Sequence, residues 1–152
     1  MPSVCFVCLG NICRSPMAQA VFEHLISKRG IDDDWTVDSA GTGAWHVGEP
    51  PDPRTLKVLS KHQINTDQVA RSVHDSDFAA FDYLLAMDED NLRVLQDRAP
   101  ASCDAEINLL GDYDPEGRGE VPDPYYGGPD GFDNVYAMVS RCCESFLEAN
   151  AD

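Results

Sequence analysis

Near its start the chain reads Cys8-Leu9-Gly10-Asn11-Ile12-Cys13-Arg14-Ser15, a thiol separated by five residues from an arginine that a hydroxyl follows directly. A turn of this length between a strand and a helix can curl until successive backbone N–H groups point inward. With the helix N-terminus they then form a nest for a tetrahedral oxyanion such as phosphate. Gly10 permits close approach of the backbone, and Asn11 is among the few non-glycine types that tolerate positive φ. The guanidinium of Arg14 can grip two oxygens of the anion at once, which an ammonium does less well. Cys8, at the bottom of the nest, would feel the same positive field, and such a field turns a thiol into the nucleophilic thiolate. Ser15 can donate to that sulfur and improve it as a leaving group. The chemistry these types suit is displacement at phosphorus through a sulfur–phosphorus intermediate.

Displacement also needs a proton for the departing oxygen. Asp123-Pro124-Tyr125-Tyr126 offers a carboxylate before a rigid proline and two aromatics, and burial beside those rings would keep a proton on it. Asp112, Asp114 and Asp130 share the same stretch, so spacing alone leaves open whether Asp123 is the acid or a turn residue.

These residues need a scaffold. Residues 4–8 form a short, continuously apolar run, the mark of a strand covered on both faces. Ser15-Pro16 reads as an N-cap followed by the first helical position, and Gly30 as the stop. Ala18, Val21, Phe22, Leu25 and Ile26 recur between them at helical spacing. Further strands are expected at 35–39, 83–87 and 107–110. Helices are expected around Leu56–Leu59, at 77–81, from near Asp88, and from Phe132 to Leu147 with Cys142 or Cys143 on the buried side. Residues 111–131 read as a long Gly/Pro-rich loop, a length that is usually functional. Strands alternating with helices imply an α/β domain over 1–152, with an open parallel sheet wrapped on both faces. In such sheets ligands bind beyond the carboxyl ends of the strands.

Composition narrows the partners. The chain has 152 residues, with 27 Asp and Glu against 11 Lys and Arg, and a net charge of -16. So acidic a surface repels phosphate backbones and anionic lipid, so neither nucleic acid nor membrane is expected as a partner. No apolar run approaches the ~20 residues that span a bilayer, and no basic leader is seen, so the cytoplasm is the expected location. Six cysteines without a secretion signal read as reduced thiols. A zinc site at Cys5, Cys8 and Cys13 is not expected, because alternation puts Cys5 and Cys8 on opposite faces of the strand. The turn matches neither G-x-G-x-x-G nor Walker A.

Taken together, residues 7–16, Asp38-Ser39-Ala40-Gly41-Thr42, Phe81-Asp82 through Met87-Asp88, and Asp123-Pro124-Tyr125-Tyr126-Gly127 resemble the low-molecular-weight protein tyrosine phosphatase family. The resemblance covers essentially the whole chain. It implies a flavodoxin-like four-stranded parallel sheet with helices on both faces and the phosphate-binding loop after strand 1. It further implies hydrolysis of phosphotyrosine in proteins, and of small aryl phosphates, through a phosphocysteine. In this reading Cys8 is the nucleophile, Arg14 the phosphate clamp, and Asp123 first acid and then base. Leu9, Gly10, Asn11, Ile12 and Cys13 line the loop; Asn11, Ser15 and Ser39 hold its shape; Trp45, Tyr125 and Tyr126 wall the cleft. Neither metal nor other cofactor is implied, and a monomer with at most weak self-association is expected. The resemblance also places Cys13 within reach of Cys8, so that oxidation would join them.

Two other readings compete. Arsenate reductases share this loop but relay electrons through further cysteines, and residues 83–97 contain none. A phosphotyrosine-binding module without turnover would not need Cys8, Arg14 and Asp123 together.

Overall fold

In the computed structural model, which describes residues 2–128 and 130–150, the chain forms one four-stranded parallel sheet among the described residues. The expected domain bounds of 1–152 reach beyond these residues: Met1, Pro129, Ala151 and Asp152 lie outside them. The strands are β1 (Ser3–Cys8), β2 (Thr36–Gly41), β3 (Tyr83–Ala86) and β4 (Glu106–Leu109), in the order β2-β1-β3-β4. Between them run α1 (Arg14–Lys28), α2 (Pro53–Lys61), α3 (Asp77–Ala80) and α4 (Glu89–Arg98), and α5 (Gly131–Ala149) closes the chain.

The apolar run predicted to be covered on both faces is the central strand β1, buried at every position. Its side chains alternate as the pleat requires. Val4, Phe6 and Cys8 enter one core with α1 and α5, whereas Cys5 and Val7 enter the other with Phe78, Leu84 and Leu95. Cys5 and Cys8 thus lie on opposite faces, as the spacing implied. The larger core is organised by Phe146. Its ring meets Phe22 at 5.7 Å, Trp35 at 5.9 Å, Tyr83 at 5.1 Å and Tyr113 at 5.1 Å. Cys142 and Cys143 are both fully buried on this side of α5, where periodicity had asked for one of them.

Strand order reverses beside β1, because β2 lies on one side of it and β3 on the other. The loops after β1 and β3 therefore diverge and leave a crevice at the carboxyl edge of the sheet. Strand β2 runs two residues past the expected Ser39. Gly41 still pairs with Cys8, and its N–H donates to the Arg71 carbonyl at 2.8 Å. The stretch read as a wholly irregular loop from Gly111 begins inside a 3-10 turn, Leu110–Tyr113. It is then tied down by Asp114, which accepts from both Nε and Nη2 of Arg141 at 3.1 Å. Arg141 holds the Asp114 carboxyl below the usual carboxylate range, chiefly through that hydrogen bonding.

One local expectation is corrected. Ser15 is not the N-cap of α1 and Pro16 is not its first residue: the helix begins at Arg14, with Cys13 at the cap position and no capping side chain. The Ser15 hydroxyl is occupied by Cys8 and Asn11. Pro16 remains tolerated, because the first four N–H positions of a helix have no intrahelical acceptor anyway. The cap-then-proline pattern occurs instead at Asp52-Pro53, where Asp52 caps α2 by accepting from the Arg54 N–H at 2.8 Å.

Replacing Phe146 by Ala should remove about 3–5 kcal/mol of stability, the usual cost of emptying a buried aromatic site. Urea unfolding checks this. A loss well under ~1 kcal/mol would show that the ring cluster does not carry the larger core.

Candidate active site

Cys8 ends β1 at only 3 % exposure, and the chain then turns sharply through Asn11, whose φ is 57°. The turn keeps its shape by exporting its carbonyls. The oxygens of Cys8, Leu9 and Ile12 accept from the N–H groups of Thr42, Gly43 and Asp52 at 2.9, 2.9 and 2.7 Å. The N–H of Asn11 donates to Cys8 Sγ at 3.3 Å, while those of Gly10, Ile12 and Cys13 find no protein acceptor among the described residues. Backbone donors left without protein acceptors beside the N-terminus of α1 are what an anion-binding nest requires. It can lie this close to β2 because residue 41 is glycine: a Cβ there would stand 2.8 Å from the Leu9 oxygen and 3.2 Å from the Asn11 nitrogen.

Behind the nest runs a hydrogen-bond relay whose direction can be worked out from its ends. The Arg71 backbone N–H, which can only donate, reaches Asn11 Oδ1 at 3.0 Å. Asn11 Nδ2 must therefore face the two serines, and it donates to Ser15 Oγ at 2.7 Å and Ser39 Oγ at 3.0 Å. Ser39 passes its own proton to Gln19 Oε1 at 2.6 Å. Gln19 is held in that orientation because its Nε2 donates to Gln68 Oε1 at 3.2 Å. Gln68 Nε2 in turn donates to the carboxylate of Asp38 at 3.1 Å. Ser15, already accepting from Asn11, has one proton left, and Cys8 Sγ at 3.0 Å is its acceptor. The sulfur thus accepts from both Ser15 and Asn11, which suits an anionic sulfur.

Arg14 is 3 % exposed and is aimed from a neighbouring loop. Its Nη1 donates to Asp88 Oδ2 at 2.8 Å and to the Val121 carbonyl at 3.0 Å. Asp88 also caps α4 through Asn91 N–H at 2.8 Å, so one carboxylate fixes both the helix and the guanidinium. The other edge of the guanidinium faces Asp123, with Nη2 3.7 Å from Oδ2.

Cys8, Cys13, Arg14 and Asp123 line a single cleft of about 150 Å³, together with Leu9, Gly10, Ile12, Trp45, His46, Tyr125 and Tyr126. Asp123 does not have the buried setting anticipated for it. Its side chain is 42 % exposed, and its Oδ1 accepts from the Tyr125 N–H at 3.0 Å. The tyrosine rings stand edge to face on one another, 4.8 Å apart. Trp45 is 72 % exposed and folds back over Gly43, where any side chain would overlap its ring. Arg54 binds this wall to the nest: its Nη1 donates to the Tyr125 carbonyl at 3.1 Å, and its Nε and Nη2 bind Asp52, whose N–H holds the Ile12 carbonyl.

Every site residue expected from the sequence lies in the cleft or, for Asn11, Ser15 and Ser39, in the relay behind it. Sequence reasoning missed Gln19, Gln68, Arg71, Asp88, Arg54 and His46. Asp88 carried a local signal, as an acidic residue opening a helix, whereas Gln19, Gln68 and Arg71 act through partners distant in the chain. Among the described residues, no three His, Cys, Asp or Glu side chains come together as a metal site would require.

The relay makes a measurable claim about the sulfur. Burial above all, and then Asp52, push the Cys13 thiol up to about 12, so it stays protonated at neutral pH. Iodoacetate at pH 7 should therefore alkylate Cys8 in preference to Cys13. Gln19→Leu should slow the Cys8 reaction by about 5–30-fold, the factor that ~1–2 kcal/mol for a lost buried acceptor represents. An unchanged rate in a folded variant would disconnect Gln19 from the sulfur.

Comparison with known proteins converges on one family. The family model described as low molecular weight phosphotyrosine protein phosphatase matches residues 3–151. The low molecular weight phosphotyrosine protein phosphatase of Sus scrofa is 49% identical over 148 residues, covering 96% of this chain and 94% of its own. A crystal structure of a protein tyrosine phosphatase from Entamoeba histolytica, with Hepes in its active site, superposes with a TM-score of 0.93 at 40% identity, covering 97% and 96% of the two chains. A Drosophila arginine phosphatase superposes at 0.92, also with 40% identity, covering 98% of each. Four parallel strands in this order, a match along nearly the whole length and a relative half identical in sequence place the chain in the low molecular weight phosphotyrosine protein phosphatase family.

Proposed function

We propose that Cys8 is the nucleophile, Arg14 the phosphate clamp and Asp123 the acid and base through which this chain hydrolyses phosphotyrosine. The observation that carries the assignment is the convergence of the three in one cleft, with Arg14 Nη2 3.7 Å from the Asp123 carboxylate at its rim. A phosphate seated in the nest would lie over Sγ, its oxygens facing the free N–H groups and the open edge of Arg14. Sulfur attacks phosphorus from below, and the phosphorus–oxygen bond to the aryl group breaks as Asp123 gives its proton to that oxygen. Negative charge on the equatorial oxygens is met by the guanidinium and the amides, which are fixed in place before the reaction. Asp123, now a carboxylate, takes a proton from water as the water oxygen attacks phosphorus. Sulfur then leaves with its electron pair, stabilised by the Ser15 and Asn11 donors. Exposure of Asp123 at the mouth suits both halves, because the aryl oxygen and the water arrive there in turn.

Trp45, Tyr125 and Tyr126 are suited to hold the ring that carries the phosphate. This supports tyrosine over serine, whose shorter side chain would not bring phosphorus to a thiol at the cleft floor. The same reading has the chain act as a single domain over 1–152, as a monomer, in the cytoplasm, on phosphotyrosine-containing proteins. No helix among the described residues is long and apolar enough to cross a membrane.

Rapid mixing with p-nitrophenyl phosphate should give a burst of p-nitrophenol followed by slower turnover. Cys8→Ser should abolish both phases. Asp123→Asn should slow turnover by about 10²–10⁴-fold, the usual contribution of a positioned acid–base group. Full activity in Asp123→Asn would remove that residue from the mechanism, and thiol-dependent turnover of arsenate without release of p-nitrophenol would favour a reductase. A second expectation follows from the shared cleft of Cys8 and Cys13. Peroxide should convert Cys8 to a sulfenic acid, from which Cys13 displaces water to form a disulfide. Peptide mapping after mild oxidation checks the link, and faster recovery in Cys13→Ser would contradict its protective role.

A further inference from the structure

Positive charge is scarce in this protein, with 11 Lys and Arg against 27 Asp and Glu, and three of those cations share one helix. Of the three lysines in the chain, Lys57 and Lys61 lie on α2 with Arg54, at positions three and four residues apart, so the three cations share one face of the helix. They border a groove of about 250 Å³ whose opposite wall includes Gly127, Gly128 and Phe132. The groove adjoins the catalytic cleft: Arg54 stacks over the Tyr125 ring at 5.2 Å, and Tyr125 also lines that cleft. Arg54 is held by Asp52, and Lys61 pairs with Asp133 at 3.0 Å, both of its groups about half exposed. Lys57 is exposed and makes no ion pair among the described residues.

We propose that this groove binds carboxylate side chains flanking the phosphotyrosine of a protein substrate. The proposal rests on the phosphatase reading above and specifies the sequence around the target. From Arg54 to Lys61 the helix rises about 10 Å, the reach of roughly three residues of extended peptide. A peptide whose phosphotyrosine fills the cleft would therefore lay its nearby residues along these cations. On a protein of net charge -16 an acidic segment is repelled from most approaches, so a local cationic facet beside the cleft decides which acidic segments can dock and in what register. The Lys61–Asp133 pair is no obstacle: exposed pairs are weak, and a substrate carboxylate can replace Asp133.

The test uses two phosphotyrosine peptides that differ only in having Glu or Lys at the flanking positions. The wild-type protein should favour the Glu peptide in kcat/KM by about 3–10-fold at low salt, with the preference shrinking as salt is added. Lys57→Glu with Lys61→Glu should erase or invert that ratio, and Lys57→Glu alone should reduce it. A misfolded fraction would lower both peptides together and leave the ratio intact. No wild-type preference, a preference for the Lys peptide, or a ratio unmoved by the charge reversals would each overturn the proposal. Failure of the wild-type protein to hydrolyse p-nitrophenyl phosphate would instead be a failure of the phosphatase reading.

Discussion

The pair of hydrogen bonds that meet at the Cys8 sulfur is the constraint around which this molecule is arranged. Ser15 and Asn11 both donate to Cys8 Sγ, and neither can be turned round without leaving another buried group unsatisfied. Two fixed points set the direction. The Arg71 N–H is a donor by covalent structure, and the Asp38 carboxylate is an acceptor by charge. Between them Gln68, Gln19, Ser39 and Asn11 have one self-consistent arrangement, and it ends with a proton of Ser15 directed at sulfur. Because a buried polar group without a partner costs more than a hydrogen bond gains, the arrangement is held firmly although each link is modest.

The fold supplies what the relay cannot. Parallel pairing of β1 with β2 and β3 places two loops at one crevice, so a residue after β3, Asp88, can steer a guanidinium that follows β1. The outward carbonyls of the nest tie it to β2 and to the start of α2, and Arg54 extends the same connection to the loop that bears Asp123. Positioning therefore comes from groups that also do ordinary structural work, such as the helix caps Asp52 and Asp88. Asp123, the proposed acid, has a side chain 42 % exposed, in keeping with a group that must meet a departing oxygen and then water.

Much of this was legible in the sequence, and the reasons differ by residue. The apolar run 4–8 announced a buried strand because two covered faces leave no polar alternation. Cys8, Gly10, Asn11 and Arg14 announced a nest because each type answers a separate geometric or charge requirement within a few residues. Ser15-Pro16 misled because a serine before a proline fits two roles, and the tertiary demand of Cys8 and Asn11 overrode the cap. The setting of Asp123 was misjudged because neighbouring rings in sequence need not cover a side chain in space. Gln19 and Gln68, 49 residues apart, gave no signal: the meaning of an amide pair lies wholly in which end faces which neighbour, and only the packing of α1 beside β2 decides that.

The central claim is that these donors and Arg14 stabilise negative charge at Cys8 and on a phosphoryl group transferred to it. Acid quenching during turnover of an aryl phosphate, with digestion and mass spectrometry, tests it most directly. A phosphoryl group on the Cys8 sulfur, absent from every other cysteine and absent when Arg14 is replaced by Ala, is the expected result. Turnover with no phosphorylated sulfur at any quench time, or with the phosphoryl group on another residue, would contradict it.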